Sequence, residues 1–227
     1  MTSTDTSSSA LPADFGEAWV AQMRTALTAG AAALGDLDRR AGDGDFGTNI
    51  RTAMKLVEKN LDEDSPSGYS ATLTSFYRAW LGVGGTSGPL FGMLFRDLSK
   101  AGEGSGAPTI TEFAEALANG LATVQRYGEA EVGDKTMVDA LAPAAEALTS
   151  AAQSGDDPVA ALGAAVDAAR GGADATAETI ARRGRASYVG DAAKGVMDPG
   201  AAAVVLILAA ARSAAGGEES VETDWIG

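Results

Sequence analysis

Three carboxylates and three glycines are interleaved in Asp38-Arg39-Arg40-Ala41-Gly42-Asp43-Gly44-Asp45-Phe46-Gly47-Thr48-Asn49. Carboxylate oxygens suit a hard cation such as Mg²⁺, glycines let a backbone turn sharply and approach a ligand, and a helix start offers unpaired N–H groups to an anion. The segment therefore reads as a cation and phosphate site, with Asp38, Asp43 and Asp45 as candidate metal ligands. Turn and capping chemistry is the bland alternative, because Asp and Gly are ordinary turn formers. Three Asp within eight residues exceed what a turn requires. The spacing and the missing terminal Glu exclude an EF-hand loop. On a helix, positions i and i+7 align while i+5 points elsewhere, so only a loop gathers all three.

Three further segments carry similar signals. Gly82-Val83-Gly84-Gly85-Thr86-Ser87-Gly88 has hydroxyls beside exposed N–H groups and suits phosphate oxygens. Its glycine spacing fails the dinucleotide fingerprint, no strand pattern precedes it, and the chain has no Walker motif; a plain interhelical linker is about as good a reading on spacing alone. The third runs from Tyr127 to Met137 and contains Gly128, Lys135 and Thr136; the fourth runs from Gly184-Arg185-Ala186-Ser187-Tyr188 to Asp198-Pro199-Gly200. Lys135 and Arg185, taken singly, read as surface charges, although cations beside glycine loops stand out in an acidic protein. Met137 reads as a core residue.

Composition narrows the chemistry. The formal charge is −14 over 227 residues, which argues against nucleic acid and means that an anionic ligand needs local cations. The chain contains no cysteine and no histidine. Disulfides, thiolate or imidazole metal sites, a histidine general base and a phosphohistidine carrier role are all excluded. A cytoplasmic setting is expected. The apolar run from Ala201 to Ala211 falls short of the ~20 residues of a membrane span and reads as a buried helix.

The elements that must position these loops are helical. Trp19, Met23, Leu27, Leu34 and Leu37 mark one face of a first helix. A second is expected from near Thr48 with Ile50, Met54 and Val57 inward, and a third with Leu73, Tyr77, Trp80 and Leu81. Pro89 suits the first turn of a fourth helix carrying Phe91, Leu94, Phe95 and Leu98. Thr111 is expected to cap a fifth. The sixth is expected from about Thr136 to Ser150 with a kink at Pro143, the seventh opens at Asp157-Pro158 with a bend at Gly171-Gly172, and the eighth opens near Pro199. No alternating strand pattern is present. The expected fold is all-α: an eight-helix antiparallel up-and-down bundle, in one domain over residues 14–215. A disordered N-terminal tail (1–13) and an acidic C-terminal tail (216–227) flank it, with Trp225 and Ile226 able to dock on the body. Antiparallel packing puts the four unusual loops at one end.

Taken jointly, LD-x-x-x-GDGD-x-GTN, GGTSGPL-x-G, GDKTMVDAL-x-P and GRASY-x-G…DPGA, spread from Asp38 to Gly200, resemble the ADP-binding L subunit of bacterial dihydroxyacetone kinases, the nucleotide domain shared with ATP-dependent dihydroxyacetone kinases. The resemblance implies closure into a barrel with ADP or ATP and two Mg²⁺ at one end, the metals on Asp38, Asp43 and Asp45. It places nucleotide contacts at Phe46, Gly47, Thr48 and Asn49, at Thr86 and Ser87 on the phosphates, at Gly128 and Met137 around the adenosine, and at Arg185, Asp198, Pro199 and Gly200. Catalytic groups beyond these metal and phosphate ligands are not specified. The family usually carries His where this chain has Phe46. A side-chain hydrogen bond is lost there, while the ring can shield the metals and the Phe46 N–H stays available to a phosphate.

The implied reaction is Mg-dependent phosphoryl transfer to dihydroxyacetone bound on a partner subunit, the nucleotide being recharged by a phosphohistidine donor protein of the phosphotransferase system. The folded length suits a standalone subunit. Two alternatives stand beside this: an ATP-exchanging kinase subunit for a related short ketose, and a non-enzymatic acidic helical adaptor. The donor, the exact ketose and the oligomeric state, homodimer included, are left open.

Overall fold

The computed structural model describes residues 9–102, 106–188, 193–218 and 220–226, with the side chains of Arg185 and Tyr188 outside that description. Among the described residues there are eight α-helices: α1 (Phe15–Ala41), α2 (Phe46–Asp64), α3 (Tyr69–Leu81), α4 (Ser87–Leu98), α5 (Ile110–Gly128), α6 (Met137–Ser154), α7 (Pro158–Ala175) and α8 (Pro199–Gly216). Among the described residues the only β feature is an isolated antiparallel bridge between Ala10 and Thr109. Each helix packs on its neighbours in sequence and α8 packs back on α1, so the ring closes. The expected all-α bundle is thus found, and closed.

The closure rests on α8. Every residue from Ala201 to Leu208 is buried, and the run consists of small or β-branched and aliphatic side chains that let neighbouring helices approach on all sides. α8 is long and apolar enough to cross a membrane, yet two-thirds of it is buried against other helices. The end of the barrel opposite the unusual loops is filled by aromatic rings. Phe15 and Trp19 of α1 stack at 5.6 Å, and Phe113 of α5 meets both edge-on at 5.7 and 5.2 Å. The buried indole N–H of Trp19 donates to the Ile207 carbonyl at 2.9 Å, so the large ring brings no unsatisfied donor into the core.

Several local features differ from the sequence expectation. Thr109, not Thr111, caps α5: its hydroxyl accepts from the Glu112 N–H at 3.2 Å while the Glu112 carboxylate accepts from the Thr109 N–H at 2.8 Å. This reciprocal box needs the carboxylate three residues after the cap, which Thr111 lacks. Helix α2 starts at Phe46, two residues before Thr48, and α6 continues past Ser150 to Ser154 with Pro143 inside it. In α3 the buried stripe runs through Tyr69, Leu73, Phe76 and Trp80, whereas Leu81 is 48% exposed.

Helix α7 runs unbroken through Gly171 and Gly172. Gly172 serves close packing: a Cβ there would collide with the Asp139 carbonyl oxygen and lie 3.0 Å from Pro143. Within the N-terminal tail expected over residues 1–13, Leu11 is docked on the body: it is buried and its N–H donates to the Pro108 carbonyl at 3.0 Å. Residues 1–8 lie outside the described residues. At the other end Ile226 is buried, and the Arg170 guanidinium lies 4.4 Å from the Trp225 ring centroid.

Candidate functional site

The ends of α1 and α5 and the starts of α2, α4, α6 and α8 surround one cavity of about 230 Å³, which all four unusual segments reach. Antiparallel connectivity is the reason: every odd helix before α7 arrives at this end and every even helix leaves it.

The acidic loop forms one wall. Asp38, at the end of α1, is buried, and its Oδ2 accepts from the Phe46 N–H at 2.9 Å, capping α2 from outside. Asp43 and Asp45 are exposed in the loop between. Burial pushes the Asp38 carboxyl above its ordinary range, opposed by the Phe46 N–H and reinforced by the Asp43 and Asp45 charges. Such mutual repulsion is what a bound cation relieves. The three carboxylates all line the cavity, but no group of three ligand side chains is gathered at metal-holding distance among the described residues. The oxygen donor set suits Mg²⁺, and ligation by all three requires the exposed pair to turn inward.

Phe46 is buried on the cavity wall, 6.1 Å from the Phe91 ring, which in turn lies 4.8 Å from Trp80. Its N–H is not free for a phosphate as expected, since it is already held by Asp38. Asn49 lines the cavity, whereas Gly47 and Thr48 do not. Gly47 is turned to α1, where a Cβ would strike the Ala31 carbonyl oxygen and lie 3.0 Å from Gly35. Its glycine is explained by helix contact.

Thr86 and Ser87 also line the cavity, at the start of α4. The four helix starts at this end differ in their caps. Helix α6 has a Thr136–Asp139 box, α8 has Asp198, and α2 receives Asp38, but the α4 start has no side-chain cap. Its first N–H groups are the ones left for an anion. Gly128 and Met137 line the cavity between α5 and α6, and Met137 is at the same time buried, so it serves core and site together.

Asp198, Pro199 and Gly200 bring the start of α8 into the wall. The Asp198 carboxylate accepts from the Ala201 N–H at 2.7 Å; although the residue as a whole is only partly buried, desolvation of this inward carboxylate pushes it up to about 7, with Asp139 and Asp38 adding repulsion. The backbone of Arg185 lies in a 3₁₀ turn, Arg185–Tyr188, and its side chain lies outside the described residues; Arg183, Gly184 and Ala186 line the cavity from that segment.

Lys135 corrects the surface-charge reading. It is 1% exposed, and its Nζ donates to the carbonyls of Thr176 and, at 2.5 Å, Val196. Only its position in the motif marked it beforehand, because a lone lysine gives no sign of burial until distant carbonyls are brought to it. Asp139 is a second residue whose role the sequence does not single out. Its two oxygens accept from the Gly133 N–H at 2.6 Å and the Thr136 N–H at 2.7 Å, shaping the loop before α6.

Comparison with known proteins accords with this geometry. The chain is 40% identical over 172 residues to the ADP-binding subunit DhaL of PEP-dependent dihydroxyacetone kinase 2 from Listeria innocua, an alignment covering 74% of this chain and 79% of that one. It is 38% identical over 173 residues to human triokinase/FMN cyclase, covering 75% of this chain and 30% of the human protein. Among solved structures, the dihydroxyacetone kinase of C. freundii in complex with AMP-PNP and Mg²⁺ superposes with a TM-score of 0.67 at 28% identity, covering 92% of this chain and 35% of that one. The chain thus spans most of the Listeria subunit but about a third of the longer kinases. The DAK2 domain profile matches residues 40–213, and the chain belongs to that family.

Proposed function

We propose that this chain is the ADP/ATP-binding subunit of a dihydroxyacetone kinase and holds its nucleotide in the cavity at the loop end of the barrel. The observation that carries this reading is a shared lining: three carboxylates and an uncapped helix start line one cavity in a protein of strongly negative charge. A diphosphate can enter such a place when divalent cations offset the carboxylates. Asp38, Asp43 and Asp45 would hold Mg²⁺, two ions in the full site, and bound Mg²⁺ supplies charge neutralisation of the phosphates. The α4 start with Thr86 and Ser87 orients the phosphate chain, and Gly128 and Met137 offer an apolar bed for the base. Phe46, Asn49 and Asp198 to Gly200 complete the walls, and Arg185 is proposed as a phosphate contact. Gly47 and Thr48 enter only through the backbone of the α2 start.

The phosphoryl group passes to dihydroxyacetone held by a partner subunit, since the chain has no histidine to act as covalent carrier. Recharging of bound ADP by a phosphohistidine protein of the phosphotransferase system accords with the PEP-dependent naming of the Listeria relative, and we place the reaction in the cytoplasm. Exchange with free ATP is the second reading, favoured by the AMP-PNP held in the longer C. freundii kinase.

Protein purified without added nucleotide should release ADP on denaturation, read by mass spectrometry, and calorimetry should show ADP binding in Mg²⁺ that EDTA abolishes. Equal binding in Mg²⁺ and EDTA would overturn the metal-nucleotide reading. A nucleotide-free protein that turns over free ATP with its substrate subunit would select the exchanging version.

A further inference from the structure

Resting on the nucleotide reading above, we propose that Lys135 is a positioning residue, a buried ammonium that ties three separate segments together and so holds the start of α8 against the nucleotide cavity.

The geometry is particular. Lys135 sits in the left-handed region at φ 62°, one of three non-glycine residues with positive φ among those described. That conformation carries a local cost for a residue with a Cβ. It turns the side chain inward, where Nζ reaches the Thr176 carbonyl, 41 positions away in sequence, and the Val196 carbonyl, 61 away. Thr176 extends the chain of contacts: its hydroxyl donates to the Ala173 carbonyl at 2.5 Å and accepts from the Asp198 N–H at 2.8 Å. The Gly195 N–H donates to the Ala177 carbonyl at 2.8 Å, and the Arg182 N–H to the Asp134 carbonyl at 3.1 Å. Through one ammonium the loop before α6, the turn after α7 and the approach to α8 become one body.

The consequence falls on the site. Asp198 follows Val196 by two residues and caps α8, and a Cβ on Gly200 would stand 3.4 Å from that of Met137. The α6 and α8 starts are therefore held at contact distance on the cavity wall. A buried ammonium is costly unless its charge is answered. Desolvation pulls the Lys135 ammonium below its ordinary range, and Asp198, Asp139 and Glu178 push it back. A hydrophobic residue could fill the same volume without joining two carbonyls. The charge therefore has a specific use, and two of its three N–H donors are accounted for by the tie.

The test compares Lys135→Met and Lys135→Arg with the wild type for release of a fluorescent ADP analogue in Mg²⁺, with melting temperature and amide exchange on the same samples. Lys135→Met should release ADP at least tenfold faster, with faster exchange confined to residues 134–136, 176–179 and 195–201, and Lys135→Arg should recover most of the slow release. Unchanged release in Lys135→Met, or equal acceleration in both variants, would overturn the proposal. Should Lys135→Met not fold, ¹⁵N spectroscopy of the wild-type ammonium decides: a protected resonance that shifts on adding Mg·ADP supports the role, and one that does not shift overturns it. A wild type that binds no Mg·ADP overturns the nucleotide reading itself; normal wild-type binding with an unaffected variant overturns only the lysine.

Discussion

The Phe46 N–H donates to Asp38 Oδ2 at 2.9 Å, so the first carboxylate of the acidic loop caps the helix that the loop leads into. Asp38 is thereby both structural and a candidate ligand, whereas Asp43 and Asp45 are exposed, with Asp43 Oδ1 accepting from the Asp45 N–H at 3.4 Å within the loop.

The three aspartates should accordingly separate by experiment. Asp43→Asn and Asp45→Asn should each weaken Mg·ADP binding by tenfold or more while far-UV circular dichroism and melting temperature stay near wild type. Asp38→Ala should do both, losing the nucleotide and about 1 kcal/mol of stability from the missing cap. Calorimetry paired with thermal melts reads the two effects; an Asp43 variant that unfolds with intact affinity per folded molecule would make that carboxylate structural.

Phe46 links the cavity wall to Phe91 and through it to Trp80. Phe46→Ala should destabilise the protein by about 3–5 kcal/mol, the usual range for removing a buried ring. Phe46→His, which installs the residue the family usually carries, should lose less and keep Mg·ADP binding, because the Asp38 bond uses the backbone alone. Urea unfolding and calorimetry check the pair.

Gly172 sits where α7 presses on Asp139, whose carboxylate organises the Gly133 and Thr136 N–H groups at the site. Gly172→Ala should cost about 1–3 kcal/mol through overpacking and also weaken nucleotide binding. Gly171→Ala is the control: nothing lies within 4 Å of its would-be Cβ, so it should stabilise α7 by about 0.5–1 kcal/mol and leave binding alone. If both variants behave alike, close packing at Gly172 is not the constraint.

Asp97 offers a pH test away from the site. Burial alone would raise its carboxyl, but hydrogen bonds from Lys100 at 2.6 Å and Thr123 at 2.6 Å, with the Lys100 and Arg96 charges, hold it below its ordinary value. The unfolded chain therefore binds this proton at higher pH than the folded one. The stabilisation is complete above about pH 4 and is lost as pH falls through the lowered folded value. Asp97→Asn should cost about 1–3 kcal/mol at neutral pH, a cost that shrinks as pH falls below the ordinary carboxylate range and through the lowered folded value. Denaturant unfolding of both proteins across that range measures it.

Much of this molecule was legible before any coordinates. Apolar spacing located the first four helices and capping or proline signals the starts of the later ones, because both are written locally; α8, buried on all sides, has no single stripe and was legible from its apolar composition. The four loop motifs were legible for the same reason, since glycines, carboxylates and hydroxyls cluster within a few residues of each other. The choice of Thr109 over Thr111 as the α5 cap was local too, and a check for an acidic residue three positions on would have found it.

What only the tertiary structure decided are the relations between residues far apart in the chain. Gly47 reads in sequence as part of a phosphate loop, yet its missing Cβ serves the contact with Ala31 on α1. Lys135 reads as a surface charge and becomes buried because two carbonyls, 41 and 61 positions away, converge on it. Burial, desolvation and close helix approach depend on which segments meet when the ring closes. No window of sequence contains that information; residue types and their spacing set the helices and the chemistry on offer, and packing assigned each group its place.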